Sequence, residues 1–338
     1  MSSSIIRPGL LTTVQDLGRP GYRHAGVPLS GALDAPALRL ANLLVGNAPG
    51  EAGLEITLAG PTLRFEAPHL LALAGADLSA TLDGQPVLLH RPVAVQAGTV
   101  LAFGAARAGC RAYLALAGGL GLPPVLGSCA TLVRARLGGL HGRALLAGDA
   151  LPAPGPSGLG AALRAKLALG FQGSSHVAAP WLPAPAWRPA LAAEPVLRAL
   201  PGPEYAEFAP ESWQAFWQQP FVVTPAADRM GYRLAGPPLV RPTGAELLSS
   251  AVAPGTVQVP PGGQPIVLLA DCQTTGGYPR LAHVIAADLG RLAQARPGTP
   301  LRFQQVSPAE AHALYLAQEA QLRVLAANYA AFLAHWLR

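Results

Sequence analysis

Lysine is all but missing from this 338-residue chain, where Lys166 stands alone. Its context, RAKLAL, has no Ser or Thr after the lysine and no spaced glycine pair before it, which excludes a Walker A phosphate loop. No methionine flanks it, as one would flank a biotin-accepting lysine. Nucleotide or biotin chemistry would therefore need other groups or another polypeptide. Cysteine is scarce too: Cys110, Cys129 and Cys272 are odd in number and lack CxxC spacing, which fits a reducing compartment. The histidines show neither HxH nor HExxH spacing, so no metal site is expected, and a GxSxG nucleophile elbow is absent. No apolar run reaches the roughly 18 residues of a membrane span. MSSSIIRPG lacks the basic-then-apolar pattern of a signal peptide. We expect a soluble, cytoplasmic protein.

Charge is sparse at 12% of residues, against 51% hydrophobic. Such a chain buries a large core and is not disordered. The formal charge is +6, but the basic residues are dispersed without a run, which reads as a basic surface rather than a nucleic-acid footprint.

What is present is mostly strand. LEITL, PTLRF, HLLALAG, LSATL, TVLAFG, CRAYLALAG, TVQVP and PIVLLAD are short and punctuated by Gly, Pro, Asp and Ala, which favours antiparallel sheets closing into sandwiches or barrels. Three helices are marked. Asp34 caps APALRLANLLV, which stops at Gly46-Asn47. ESWQAFWQQ ends at Pro220, and Ser307-Pro308-Ala309-Glu310 forms a capping box opening a helix that runs nearly to Arg338. Helix and strand signals fade between Gly148-Asp149 and Glu194, predicting a linker or long surface excursion. The length exceeds what one core usually organises. TLAGPTL echoes in RLAGPPL, AGTVLAF in PGTVQVP, and the spacing from Gly98 to Gly118 nearly equals that from Gly255 to Gly276. One supersecondary unit used twice gives two lobes, residues 1–190 with the linker and residues 191–338 with the terminal helix.

Two stretches draw attention for chemistry. In ADCQTTGGYPRL, Gln273, Thr274 and Thr275 offer uncharged hydrogen-bonding groups beside Gly276-Gly277, where backbone can approach a ligand closely. The same residues also suit a glycine-rich hairpin that satisfies its own backbone. VQDLGRPGYRHAG crowds Asp16, Arg19, Tyr22, Arg23 and His24 together, and AADRMGYRLAG repeats the theme with Asp228, Arg229, Tyr232 and Arg233. Arginine's fork takes carboxylate or phosphate in bidentate fashion, while a structural Asp-Arg pair is the competing account.

The motifs PGLLTTVQDLGRPGYRHAGVPLSGALD, LEITLAGPTLRF, ADRMGYRLAGP and APGTVQVPPGGQPIVLLADCQTTGGYPRLAHVIAADL, within Arg7 to Val306, resemble the allophanate-hydrolase-subunit-2, or biotin-dependent carboxyltransferase, family. Its members include the C component of bacterial 5-oxoprolinase, the KipA-type antagonist of a kinase inhibitor and the carboxyltransferase region of urea carboxylase. The resemblance implies a mainly β fold of two cyclophilin-like barrel lobes. It implies a hetero-oligomeric hydrolase, inactive alone, in which B-type (KipI-like) and A-type partner proteins and ATP open 5-oxo-L-proline to L-glutamate. A urea-carboxylase-like carboxyltransferase component, or a non-catalytic KipA-like regulator, is the alternative. By motif, Arg19, Tyr22, Asp228, Arg229, Gln258, Gln264, Thr274, Thr275, Tyr278 and Arg280 would surround a shared substrate cleft, with Asp228 and Arg229 as its catalytic residues. Arg229 or Arg280 would hold phosphate or carboxylate, the Gln and Thr side chains the lactam amide, and Asp228 would orient Arg229. Two stretches depart from the family pattern. Gly127-Ser128-Cys129-Ala130-Thr131 lacks a charge and a hydroxyl, and Ser249-Ser250-Ala251 lacks a carboxylate.

Overall fold

Short strands separated by glycine and proline turns make up most of the regular structure, as the alternation predicts. The computed structural model describes residues 2–184, 191–242 and 247–338. Two units emerge: one comprises Met1–Arg19, Ser30–Ala190 and Val324–Arg338, the other Pro20–Leu29 and Leu191–Arg323. A simple split between residues 190 and 191 therefore misses two exchanges: the segment around Arg23 belongs to the second unit, and the last turns of the terminal helix to the first. No described helix is long and apolar enough to cross a membrane.

The first unit holds two six-stranded sheets. At the centre of one lies His69–Asp77, paired antiparallel with both Ala108–Leu116 and Pro92–Val95. Its near-continuous apolar sequence is that of a strand buried on both faces. Because side chains alternate, Leu71 and Leu73 join one core with Ile56 and Leu114. Leu70, Ala72 and Ala74 join another with Tyr113 and the first helix, α1 (Ala35–Leu44). Asp34 caps α1 as expected, accepting the Ala37 N–H at 3.1 Å, and such a cap contributes about 1 kcal/mol.

The stretch read as a linker proves structured between residues 150 and 178, while its residues 185–190 lie outside the described ones. It contributes strands Ala150–Pro152 and His176–Ala178 to the two sheets and a helix, α2 (Gly158–Ala168). Glycines and prolines at its start disguise the helix, but Leu163 and Leu167, one turn apart, are buried in the same core as α1.

In the second unit a closed seven-strand barrel runs in the order Val196–Pro201, Arg280–Val284, Thr256–Gln258, Ile266–Leu268, Gly231–Ala235, Phe221–Val223, Pro300–Gln305. The last strand closes on the first in parallel register, Arg302 opposite Val196. Helix α3 (Pro210–Gln218) presents Phe216 to this wall, where it stacks on Phe303 at 4.4 Å. After the short helix α4 (Leu289–Ala293), α5 spans Pro308–Trp336. Its capping box forms as predicted: Ser307 N–H donates to Glu310 Oε2 at 2.7 Å and Glu310 N–H to Ser307 Oγ at 3.2 Å.

Candidate functional site

The loop that follows Ile266–Leu268 is both turn and wall. Thr275–Gly276 pairs antiparallel with the distant Ser250–Ala251 as a two-stranded ribbon, and the flanking strands Ile266–Leu268 and Arg280–Val284 both pair with Thr256–Gln258 rather than with each other, so the stretch is not a hairpin. Its side chains border two cavities of the second unit. Thr274 and Thr275 line the first, of about 630 Å³. Gly277, Tyr278 and Pro279 line the second, of about 610 Å³, otherwise walled largely by proline, leucine and valine.

The first cavity carries the richer chemistry. Arg280 points its guanidinium along the wall, where Nε and Nη2 donate to Glu204 at 2.9 and 2.6 Å and Nη1 to the Ala251 carbonyl at 3.1 Å. Arg280's hydrogen bonds hold the Glu204 carboxyl below its usual range, so the pair is ionised at neutral pH. Gly202 makes this approach possible, because a Cβ there would stand 2.1 Å from the Arg280 carbonyl oxygen.

His283 and Thr256 lie directly opposite each other on neighbouring strands. Thr256 Oγ1 accepts the Ala253 N–H at 3.1 Å and sits 3.4 Å from His283 Nδ1. Burial lowers the pKa of His283, leaving a neutral imidazole at pH 7. Gly255, at φ +96°, brings the turn against this ring; a Cβ would meet Val284 O at 2.5 Å and His283 Nε2 at 3.2 Å. Arg23 and His24, from the short helical turn Arg23–Ala25, complete the lining. Arg23 Nη2 donates to the Val252 carbonyl. Cys272 is fully buried and burial raises its pKa, so its thiol stays protonated and is a poor nucleophile. The Arg23 guanidinium, two threonine hydroxyls and a neutral imidazole together can bind an anionic small molecule and exchange a proton with it.

Of the residues expected around one cleft, Thr274, Thr275 and Arg280 meet in this cavity and Tyr278 lines the other. Several others serve the fold. Arg229, 5% exposed, is held by Asp271 through two hydrogen bonds of 2.9 Å. Asp271, not Asp228, therefore orients it, since Asp228 Oδ1 accepts the N–H groups of Met230 and Gly231 at 2.8 and 3.1 Å in a turn. Gln264 closes on Gly236 from both ends, accepting its N–H at 2.8 Å and donating to its carbonyl at 3.1 Å. Buried Gln258 donates to the Tyr278 carbonyl at 3.2 Å. Arg19 lies inside the first unit, fully buried, with its guanidinium on the Ala130 carbonyl. Tyr22 is exposed, and its carbonyl accepts from Ala25 and Val27 at 3.0 and 3.3 Å. Neither lines either of these two cavities.

Thr256 and His283 were not singled out by sequence. Their pairing depends on register, and the irregularity between Val257 and Gln258 disturbs the alternation by which a strand announces its inward residues.

The sequence matches the carboxyltransferase domain family, subdomain A and B, over residues 25–305. The chain belongs to this family. It is 46% identical over 307 residues to the C component of the 5-oxoprolinase of Escherichia coli K12, spanning 91% of this chain and 92% of that one. It is 41% identical over 299 residues to the corresponding 5-oxoprolinase component of Haemophilus influenzae, at 88% and 89% coverage. Among solved structures, the K. lactis urea amidolyase superposes with a TM-score of 0.83 at 29% identity. That match covers 95% of this chain but 20% of the amidolyase, so the family's fold is one segment of that larger protein.

Proposed function

We propose that this protein is the C component of an ATP-dependent 5-oxoprolinase, acting with separate B-type and A-type proteins to open 5-oxo-L-proline to L-glutamate. The observation that carries the reading is near full-length similarity, in both directions, to two proteins named as the C component of 5-oxoprolinase. The first cavity suits a compact, polar, singly anionic lactam. Arg23 brings a guanidinium to the lining, Thr274 and Thr275 give donors and acceptors for an amide, and His283 gives a neutral acid-base group, while Arg280 spans the wall in its ion pair with Glu204. A lactam carbonyl is a weak electrophile, and phosphoryl transfer from ATP to its oxygen would activate it for attack by water. In this reading the present chain binds and orients the lactam, His283 exchanges a proton with it, and partner proteins complete the reaction.

The test is reconstitution. The purified chain alone should release no ADP, and its mixture with B-type and A-type partners should release ADP only when 5-oxoproline is present. Full turnover by the lone chain, or an assembly indifferent to the lactam, defeats the reading. The resemblance to urea amidolyase favours one other outcome, carboxyl transfer from a separate carboxybiotin carrier. Urea-dependent consumption of carboxybiotin, with no response to 5-oxoproline, would select it.

A further inference from the structure

Charges in the first cavity do not balance. Arg280 is matched by Glu204, and burial keeps His283 neutral. Arg229, the other deep arginine of this unit, is matched by Asp271 and does not reach the cavity. Arg23 differs: one of its terminal nitrogens, Nη2, donates to the Val252 carbonyl, while Nη1 is buried without a hydrogen-bond partner. The guanidinium also hydrogen-bonds the neighbouring Cys272 sulfur, a weak acceptor whose protonated thiol carries no charge to balance it. A guanidinium N–H withdrawn from water and left unmet is costly, and proteins recover that cost by pairing it. The cavity is where a pairing group can enter. The turn that carries Arg23 is itself fixed, since Gly26 at φ +80° closes it by donating to the Arg23 carbonyl at 3.0 Å.

We infer that Arg23 recognises the carboxylate of the small molecule bound in this cavity and so selects carboxylated lactams over plain ones. The inference rests on the 5-oxoprolinase reading, which supplies a ligand with a single carboxylate. A nucleotide phosphate is the other oxyanion of the proposed reaction, and charge decides between them. One uncompensated guanidinium matches one negative charge. Polyphosphates carry several and are typically cradled by glycine-rich backbone N–H groups at a helix N-terminus. The cavity's glycines, by contrast, make room for Arg280 and His283. Thr274 and Thr275 stand on the same wall to receive the lactam's amide.

The experiment compares wild type, Arg23→Gln and Arg23→Lys in the reconstituted assembly. It measures KM for 5-oxoproline, KM for ATP, and the inhibition constant of 2-pyrrolidinone, the same lactam without its carboxylate. Unfolding midpoints check that each variant is folded. Arg23→Gln should raise KM for 5-oxoproline about 10- to 100-fold, the worth of a charge-assisted hydrogen bond. KM for ATP and the 2-pyrrolidinone constant should stay unchanged, and Arg23→Lys should recover part of the loss. An unchanged KM for 5-oxoproline in folded Arg23→Gln overturns the inference while the enzyme reading stands. A rise confined to ATP overturns it too, assigning Arg23 to phosphate. A wild-type assembly inert towards 5-oxoproline overturns the enzyme reading and this inference with it.

Discussion

The two units use the same ingredients to opposite ends. In the first, the QDLGR motif buries Asp16 and Arg19, and Asp16 ties down the loop of Ser128 and Cys129 through contacts of 2.7 and 2.6 Å. In the second, DRMGYR sends Arg229 equally deep, but the neighbouring turn of the same unit sets Arg23 at a cavity. The histidines divide likewise. Burial depresses the pKa of both His69 and His283, yet His69 is sealed in the first unit with neither ring nitrogen bonded, whereas His283 faces open space beside Thr256. Neither residue type nor local motif marks a site. What marks one is a hydrogen-bonding or titratable atom that a cavity can reach.

The hardest test of that contrast is Arg229→Ala. It strands Asp271 in the interior and should cost about 3–5 kcal/mol of unfolding free energy, read by denaturant titration. A loss of activity without loss of stability would move Arg229 from framework to site.

His69→Leu should act next most strongly, and only in acid. The folded-state pKa of His69 is lowered from 6.5 to about 4. Its stabilising contribution is therefore present above pH 6.5 and lost as pH falls toward 4. The leucine variant should resist acid unfolding better than wild type by about 3 kcal/mol below pH 4, with the gap vanishing above pH 7. Parallel acid-unfolding curves would show that burial of this imidazole does not govern the first unit.

For His283→Gln we expect stability within about 1 kcal/mol of wild type, but turnover by the assembly about 100-fold lower, as for loss of a general acid-base group. Because burial lowers the His283 pKa, the acid limb of the wild-type profile should lie below pH 6.5 and disappear in the variant. A fully active variant would place His283 with His69 as a packed side chain.

Smallest is Tyr113→Phe in the first unit. The hydroxyl accepts the Asp34 N–H and donates to Glu55 Oε2, both at 2.8 Å. Its removal leaves a buried N–H unmet at a cost of about 1–2 kcal/mol, measurable as a shift in thermal midpoint with no change in KM.

Much of the fold was legible because its signals are local. Asp34 before its helix and Ser307 with Glu310 state their hydrogen bonds within a few residues. The helix Gly158–Ala168 was not legible, since two glycines in its first turn weaken its propensity and tertiary contacts at Leu163 and Leu167 hold it instead. Within the site, Thr274 and Thr275 were readable from a polar run after a buried strand, and Arg280 from the family resemblance. Thr256 with His283 required knowledge of register across the barrel, and Asp271 with Arg229 required knowledge of which carboxylate comes near.

The segment Pro20–Leu29 is an early stretch of chain belonging to a body otherwise made from residues beyond 190. Expression of residues 191–323 by themselves would thus yield a barrel without Pro20–Leu29, and so without the Arg23 and His24 that line its first cavity. Any attempt to shrink this protein to its barrel unit must graft that decapeptide back in, by circular permutation or as a synthetic fragment added in trans.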